Sequence, residues 1–182
     1  MAAILKKLHG SDKNYKMFAM TLATKQPHTD FINFKADLIK EMNLDERIKR
    51  RVKIHYGKDD TGDIYQRKNI DSFVELVGAN KAHLITADGG FDEASLINDE
   101  YDKETVRLYK EVFHYKLILA EVVAALHLQA PNGSFVLKVF DCNTMLTARL
   151  IYMLSLLYDQ LHIIKPLSSR PANSERYIVA RY

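Results

Sequence analysis

Short apolar runs alternate along the chain with longer stretches whose apolar residues recur every three or four positions. Met17-Phe18-Ala19-Met20-Thr21-Leu22 reads as a buried strand. Val52-Lys53-Ile54-His55-Tyr56 alternates apolar with polar up to Gly57, which predicts a second. Residues 82–87 predict a third, closed by Asp88-Gly89-Gly90. A fourth spans 134–140, entered through the turn Pro131-Asn132-Gly133. Residues 161–164, ended by Lys165-Pro166, and 177–180 predict the last two.

Helical spacing fills the gaps. Ile70, Phe73, Val74 and Val77 share one face of a helix over 69–77. A long helix is predicted over 105–129, with Val106, Tyr109, Phe113, Leu117, Ala120 and Ala124 in step. The stretch 143–158 is apolar nearly all round, which predicts a helix covered on most sides. Residues 2–8 predict one more short helix. Strands alternating with helices imply an α/β fold with a mostly parallel sheet and right-handed crossovers. Only 168–175 separate the last two strands, so an antiparallel hairpin is expected at one sheet edge.

Composition narrows the class. Of 182 residues, 47% are hydrophobic and 27% charged, enough apolar material for a packed core without a disulfide or metal staple. No repeat or linker composition interrupts the chain, so residues 1–182 read as one domain. No apolar run reaches the ~20 residues of a membrane span, and the longest candidate is broken by Glu121 and His127. The N-terminus lacks the order of a signal peptide. One cysteine, Cys142, cannot form an internal disulfide, which points to an intracellular setting. Seven histidines lie in no ligand spacing, so no metal site is expected. The net charge of +3 is a mild bias compatible with an anionic partner.

In such sheets ligands sit beyond the carboxyl ends of the strands. Asp88-Gly89-Gly90 occupies that place after the third strand. By itself it reads first as a simple Asp-Gly turn; the functional reading is a carboxylate held over a cleft, with backbone free enough for close ligand approach. Lys138 interrupts the apolar fourth strand Phe135-Val136-Leu137-Lys138-Val139-Phe140-Asp141. It reads either as a snorkelling surface lysine or as a partly desolvated amine. The segment Ser168-Ser169-Arg170-Pro171-Ala172-Asn173-Ser174-Glu175-Arg176-Tyr177 is rich in groups that bind phosphate and ribose, or is a polar loop.

In this order, these segments resemble the RNA cap 2′-O-methyltransferases of the FtsJ/RrmJ-like superfamily, almost end to end. Phe18-Ala19-Met20-Thr21-Leu22 resembles the family's second strand, and Gly62-Asp63-Ile64 with Asn69-Ile70 resembles its adenine-binding segment. The string from Ser169 to Tyr177 is the most specific match. The resemblance implies a Rossmann-like S-adenosylmethionine-dependent methyltransferase sheet whose first strand is missing from these residues. Another chain or segment is then expected to complete the sheet. It implies Asp88, Lys138 and Glu175 as the last three members of a Lys-Asp-Lys-Glu catalytic tetrad. The first lysine and the glycine-rich cofactor loop have no equivalent. Asp63, Ile64, Thr21, Leu22 and Asp88 are implied as contacts of S-adenosyl-L-methionine, although the family often has a carboxylate where Thr21 stands. Arg170, Asn173, Ser174, Asn143 and Thr144 are implied as contacts of capped RNA. The basic run Arg47, Lys49, Arg50, Arg51, Lys53 either tracks phosphates or is a solvated face.

The implied activity is methylation of a ribose 2′-hydroxyl in mRNA capping, in the cytoplasm, a host cytoplasm for a virus, or the nucleus. Two other readings stay open. One is a non-catalytic RNA-binding or scaffold domain derived from a methyltransferase, favoured by the missing loop. The other is a purely structural α/β domain.

Overall fold

A computed structural model describes residues 15–23, 51–90, 93–98, 100–167, 169–170 and 172–182. The helix expected over 2–8 and the basic residues Arg47, Lys49 and Arg50 lie outside them. Two compact units divide the chain, Met1–Leu76 and Val77–Tyr182.

In the first unit, β1 (Met17–Met20) and β2 (Val52–His55) pair in parallel, Met17 opposite Val52 and Met20 opposite His55. Helix α1 (Arg67–Val77) follows, burying Asn69, Ile70 and Phe73 on one side. That spacing of one, three and four residues is the stripe a helix presents to a core. The helix ends at Gly78, whose φ of +79° is the left-handed turn that stops a helix without a Cβ clash.

The second unit is a four-stranded sheet in the order β3-β4-β6-β5. β3 (Ala82–Ala87) lies parallel to β4 (Gln129–Phe140). β6 (Glu175–Arg181) runs antiparallel to both β4 and β5 (Gln160–Ile164). The expected hairpin at the sheet edge is therefore present. Within β4, Phe135, Leu137 and Val139 are buried while Ser134, Val136 and Lys138 between them are only half-buried. This period of two turns one face into the core and leaves Lys138 on the other. The core face meets Ile118, Val122 and Ala125 of α3 (Lys110–Leu128), Leu150 and Leu154 of α4 (Met145–Leu157), and Ile178 and Ala180 of β6.

Three expectations need correction. The Pro131-Asn132-Gly133 turn does not precede the fourth strand but lies inside it. β4 starts at Gln129, and its pairing jumps from Ala82–Gln129 to Leu84–Ser134, so three extra residues bulge outward. Asn132 takes a φ of +60° there, and the Gln129 amide closes the bulge on the Gly133 carbonyl at 2.7 Å. The long helix is two helices, α2 (Lys103–Leu108) and α3, broken at Tyr109. α2 has its own start, because the Asp102 carboxylate accepts from the Thr105 amide at 2.7 Å and caps it. Finally, α4 is not covered all round. It buries Thr147, Leu150 and Leu154, but Met145, Tyr152 and Leu156 are about two-thirds exposed. Among the described residues, no helix is long and apolar enough to cross a membrane.

Candidate active site

Register brings the second unit's polar residues together. Ala87 sits opposite Leu137, so the next residue after β3, Asp88, arrives level with Lys138. The Lys138 side chain is only 13% exposed, and its Nζ lies 2.7 Å from Asp88 Oδ1. The same ammonium donates to the Asp88 carbonyl at 3.2 Å. A buried amine requires such partners, because desolvation without them penalises its charge. Lys138 Nζ also stands 5.6 Å from the centroid of the Phe140 ring, within cation–π range.

The antiparallel neighbour supplies the rest. Tyr177 pairs directly with Lys138 across β4 and β6, so the two share a face. Glu175, two residues before Tyr177 on the same strand, shares that face too. The Tyr177 hydroxyl donates to Glu175 Oε1 at 2.7 Å. That bond, with help from the Asn173 amide and the charges of Lys138 and Lys165, holds the Glu175 carboxyl below its ordinary range against a desolvation that would raise it. Burial, the same hydrogen bond and the negative charges of Asp88 and Glu175 push the Tyr177 phenol well up, so it is a donor at neutral pH.

The loop before β6 is built to aim Glu175. Asn173 Oδ1 accepts from the Glu175 amide at 2.6 Å, and Asn173 Nδ2 donates to Glu175 Oε2 at 3.3 Å. Lys165 Nζ ties the loop by donating to the Asn173 carbonyl at 2.5 Å and to the Glu175 carbonyl at 3.3 Å. The Ser174 carbonyl accepts from the Asp141 amide at 3.0 Å, which joins the loop to the end of β4. Arg170 is exposed, and Ser174 is half-buried. Asn143 and Thr144 follow β4, where both backbone amides donate to the buried Glu111 carboxylate, at 3.0 and 3.1 Å. The Thr144 hydroxyl donates to Glu111 at 2.7 Å and also caps α4 by accepting from the Thr147 amide. Thr144 is thus committed to holding this loop, while the Asn143 residue is exposed. Cys142 is half-buried and packs against the core cluster.

In the first unit, the other four residues cluster by themselves. Gly62 has a φ of +68°, and a Cβ on it would stand 1.7 Å from the Thr21 carbonyl oxygen, so only glycine lets the two segments meet. The Ala23 amide donates to the Thr61 carbonyl at 2.7 Å. Thr21 and the exposed Leu22 therefore lie beside the segment carrying Asp63 and Ile64. Asp63 Oδ1 accepts from the Tyr65 amide at 2.8 Å, and Oδ2 from the Gln66 side chain at 3.2 Å. Wholly buried Asn69 secures the loop. Its Oδ1 accepts from the Lys58 amide at 2.8 Å, and its Nδ2 donates to Asp59 Oδ1 at 2.9 Å and the Asp63 carbonyl at 3.0 Å. Of the basic run, Lys53 is exposed, and Arg51 stacks over the Tyr15 ring at 4.8 Å.

Sequence reasoning did not single out Tyr177, Lys165, Glu111 or Glu121. The signal for the two glutamates was there: each interrupts an apolar helix on its buried side. Among the described residues, no group of three or more His, Cys, Asp or Glu is arranged to hold a metal ion.

Comparison with known proteins gives a consistent set of relatives. Residues 4–182 match the family described as FtsJ-like methyltransferase. The cap-specific mRNA (nucleoside-2'-O-)-methyltransferase 1 of Trypanosoma cruzi (strain CL Brener) is 38% identical over 124 residues, covering 68% of this chain and 32% of that protein. The Drosophila melanogaster protein of the same name is 38% identical over 130 residues, covering 70% and 15%. That of Mus musculus is 35% identical over 129 residues, covering 69% and 14%. The chain thus matches about a third or less of the length of each of these curated relatives.

Proposed function

Because the chain belongs to the FtsJ-like methyltransferase family, we propose that it methylates the ribose 2′-hydroxyl of capped mRNA, with S-adenosylmethionine as donor. Residues 1–182 act, in this reading, as one catalytic domain. The observation that carries the reading is the convergence of Lys138 with Asp88 at 2.7 Å, beside the Tyr177–Glu175 pair, at the carboxyl end of β4.

When bound, the donor supplies a methyl group already activated by a sulfonium charge. The protein then needs chiefly to align the acceptor hydroxyl and manage its proton. Lys138 does this work: its Nζ holds the 2′-oxygen and stabilises the negative charge that develops there while the hydroxyl proton passes to water. Asp88 fixes the amine from one side through both its carboxylate and its carbonyl. Glu175, aimed by Asn173 and Tyr177, sets the field on the other. The residues present fit the donor chemically. Asp88 is 64% exposed, an accessible carboxylate suited to a sulfonium cation. Asp63 offers acceptors for the adenine amine beside half-buried Ile64, whose side chain suits the ring, and Thr21 and Leu22 border the ribose. Arg170, Asn143 and Ser174 meet the RNA, while Asn173 and Thr144 shape the loops that present them.

Lys138→Ala is expected to lower single-turnover methyl transfer to a capped oligonucleotide by about a hundredfold or more, with S-adenosylmethionine affinity kept. Most of the activity surviving in that variant would refute the assignment. The alternative is a non-catalytic RNA-binding or scaffold domain. It predicts calorimetric binding of capped RNA without any binding of the cofactor.

A further inference from the structure

We propose that Glu121 of α3 is a positioning residue for methyl transfer: its carboxylate, through the Gly89 amide, fixes the turn that holds Asp88 against Lys138. This rests on the functional reading above but goes beyond the tetrad.

The case begins with burial. Glu121 is 8% exposed on the core side of α3, next to the core residue Val122 and one turn from Ile118 and Ala125. A carboxylate there costs stability that a leucine would not, unless its oxygens are used. One is: Oε1 accepts from the Gly89 amide at 2.7 Å, across 32 residues of sequence. The turn is fitted to that contact. A Cβ at position 89 would stand 2.5 Å from the same oxygen and 3.1 Å from its carbon, so a larger residue would push the carboxylate away from the backbone amide.

Asp88 is the residue immediately before, and both its carboxylate and its carbonyl hold Lys138 Nζ. The line of contacts therefore runs from Glu121 to the Gly89 amide, to Asp88, and to the amine. Glu121 touches no reacting atom. Its charge matters all the same, because an ionised acceptor binds an amide hydrogen about twice as strongly as a neutral one. The charged groups acting on it are Asp88, from the turn after β3, and Lys138, from β4. Burial first, and Asp88 with it, raise the Glu121 carboxyl to about 7, against the Gly89 amide and Lys138, which favour ionisation. The clamp is thus tighter on the alkaline side of neutrality.

Two measurements on the full chain test this. In proton–nitrogen NMR spectra, the Gly89 amide proton is expected to move downfield as pH rises, with a midpoint near 7, and to lose that titration in Glu121→Gln. In single-turnover assays, Glu121→Leu is expected to lower the rate roughly tenfold or more while leaving KM for the capped oligonucleotide within about twofold. Glu121→Gln, which keeps an acceptor, is expected to restore at least a third of the rate and to flatten its pH profile around 7. A Gly89 amide in the wild type that does not respond to pH overturns the proposal, as does Glu121→Leu turning over like the wild type. The NMR arm needs no activity and decides the contact even if Glu121→Leu fails to fold. Wild-type activity surviving in Lys138→Ala would sink the functional reading instead, with the Gly89 titration still intact.

Discussion

Two loops in this protein follow the carboxyl ends of parallel strands, and they are held in different ways. The loop after β2 is secured by Asn69, a neutral amide a few residues further along, which serves as acceptor and donor at once. The turn after β3 is secured by Glu121, an ionisable group 32 residues away on another element. A local amide gives an anchor that ignores pH and forms with its own helix. A distant carboxylate gives an anchor that exists only once α3 has docked, and whose strength follows its proton. The first suits a fixed platform, the second a turn that sits against a charged amine.

Substitutions can break that comparison. The largest stability effect is expected from Asn69→Ala, which removes a wholly buried amide together with its hydrogen bonds to Lys58, Asp59 and Asp63. A loss of about 3 kcal/mol in chemical denaturation is expected, the same at pH 6 and pH 8. For Glu121, the sign runs with its raised value. The folded state holds the proton more tightly than the unfolded chain, so this group's stabilising contribution is full at low pH and falls as pH rises from 4.5 to about 7. At most about 3 kcal/mol is lost, and a denaturation series from pH 5 to 8 should show the fall in the wild type and a flat line in Glu121→Gln. Glu175 and Glu111, whose carboxyls are held low, act in the opposite sense and only as pH falls below the ordinary glutamate range, so the windows separate. Gly89→Ala forces a Cβ against Glu121 and is expected to cost about 1–2 kcal/mol, with a weaker Gly89-turn titration as its NMR signature. Smallest is Asp71→Ala, which removes an exposed pair with Arg67 at 2.7 Å. Less than about 0.5 kcal/mol is expected, and a larger drop would mean that α1 leans on surface charge rather than on Asn69, Ile70 and Phe73.

Much of the second unit was legible from pattern. β3 matches its predicted span because a run of apolar residues ending in Asp-Gly-Gly leaves few alternatives. Lys138 and Asp88 could be picked out since each breaks its strand's pattern at the end where ligands bind. What pattern could not reveal is where two distant segments meet. Tyr109 looks like one more apolar step in a helix, yet the Asp102 cap starts a separate turn before it. The apolar run of α4 suggested cover on all sides, but the sheet it crosses contacts only the side bearing Thr147, Leu150 and Leu154. Glu121 reads in sequence as a flaw in an apolar stretch. Its use depends on a backbone amide that no periodicity locates.

The order of strands has a consequence for how this molecule is made. β6 follows both β4 and β5 in sequence, yet it is laid between them and carries Ile178 and Ala180 into the core. Until β6 exists, β4 and β5 lack the strand that both of them pair with. The pocket wall bearing Glu175 and Tyr177 is therefore completed only after both of its neighbouring strands have been made.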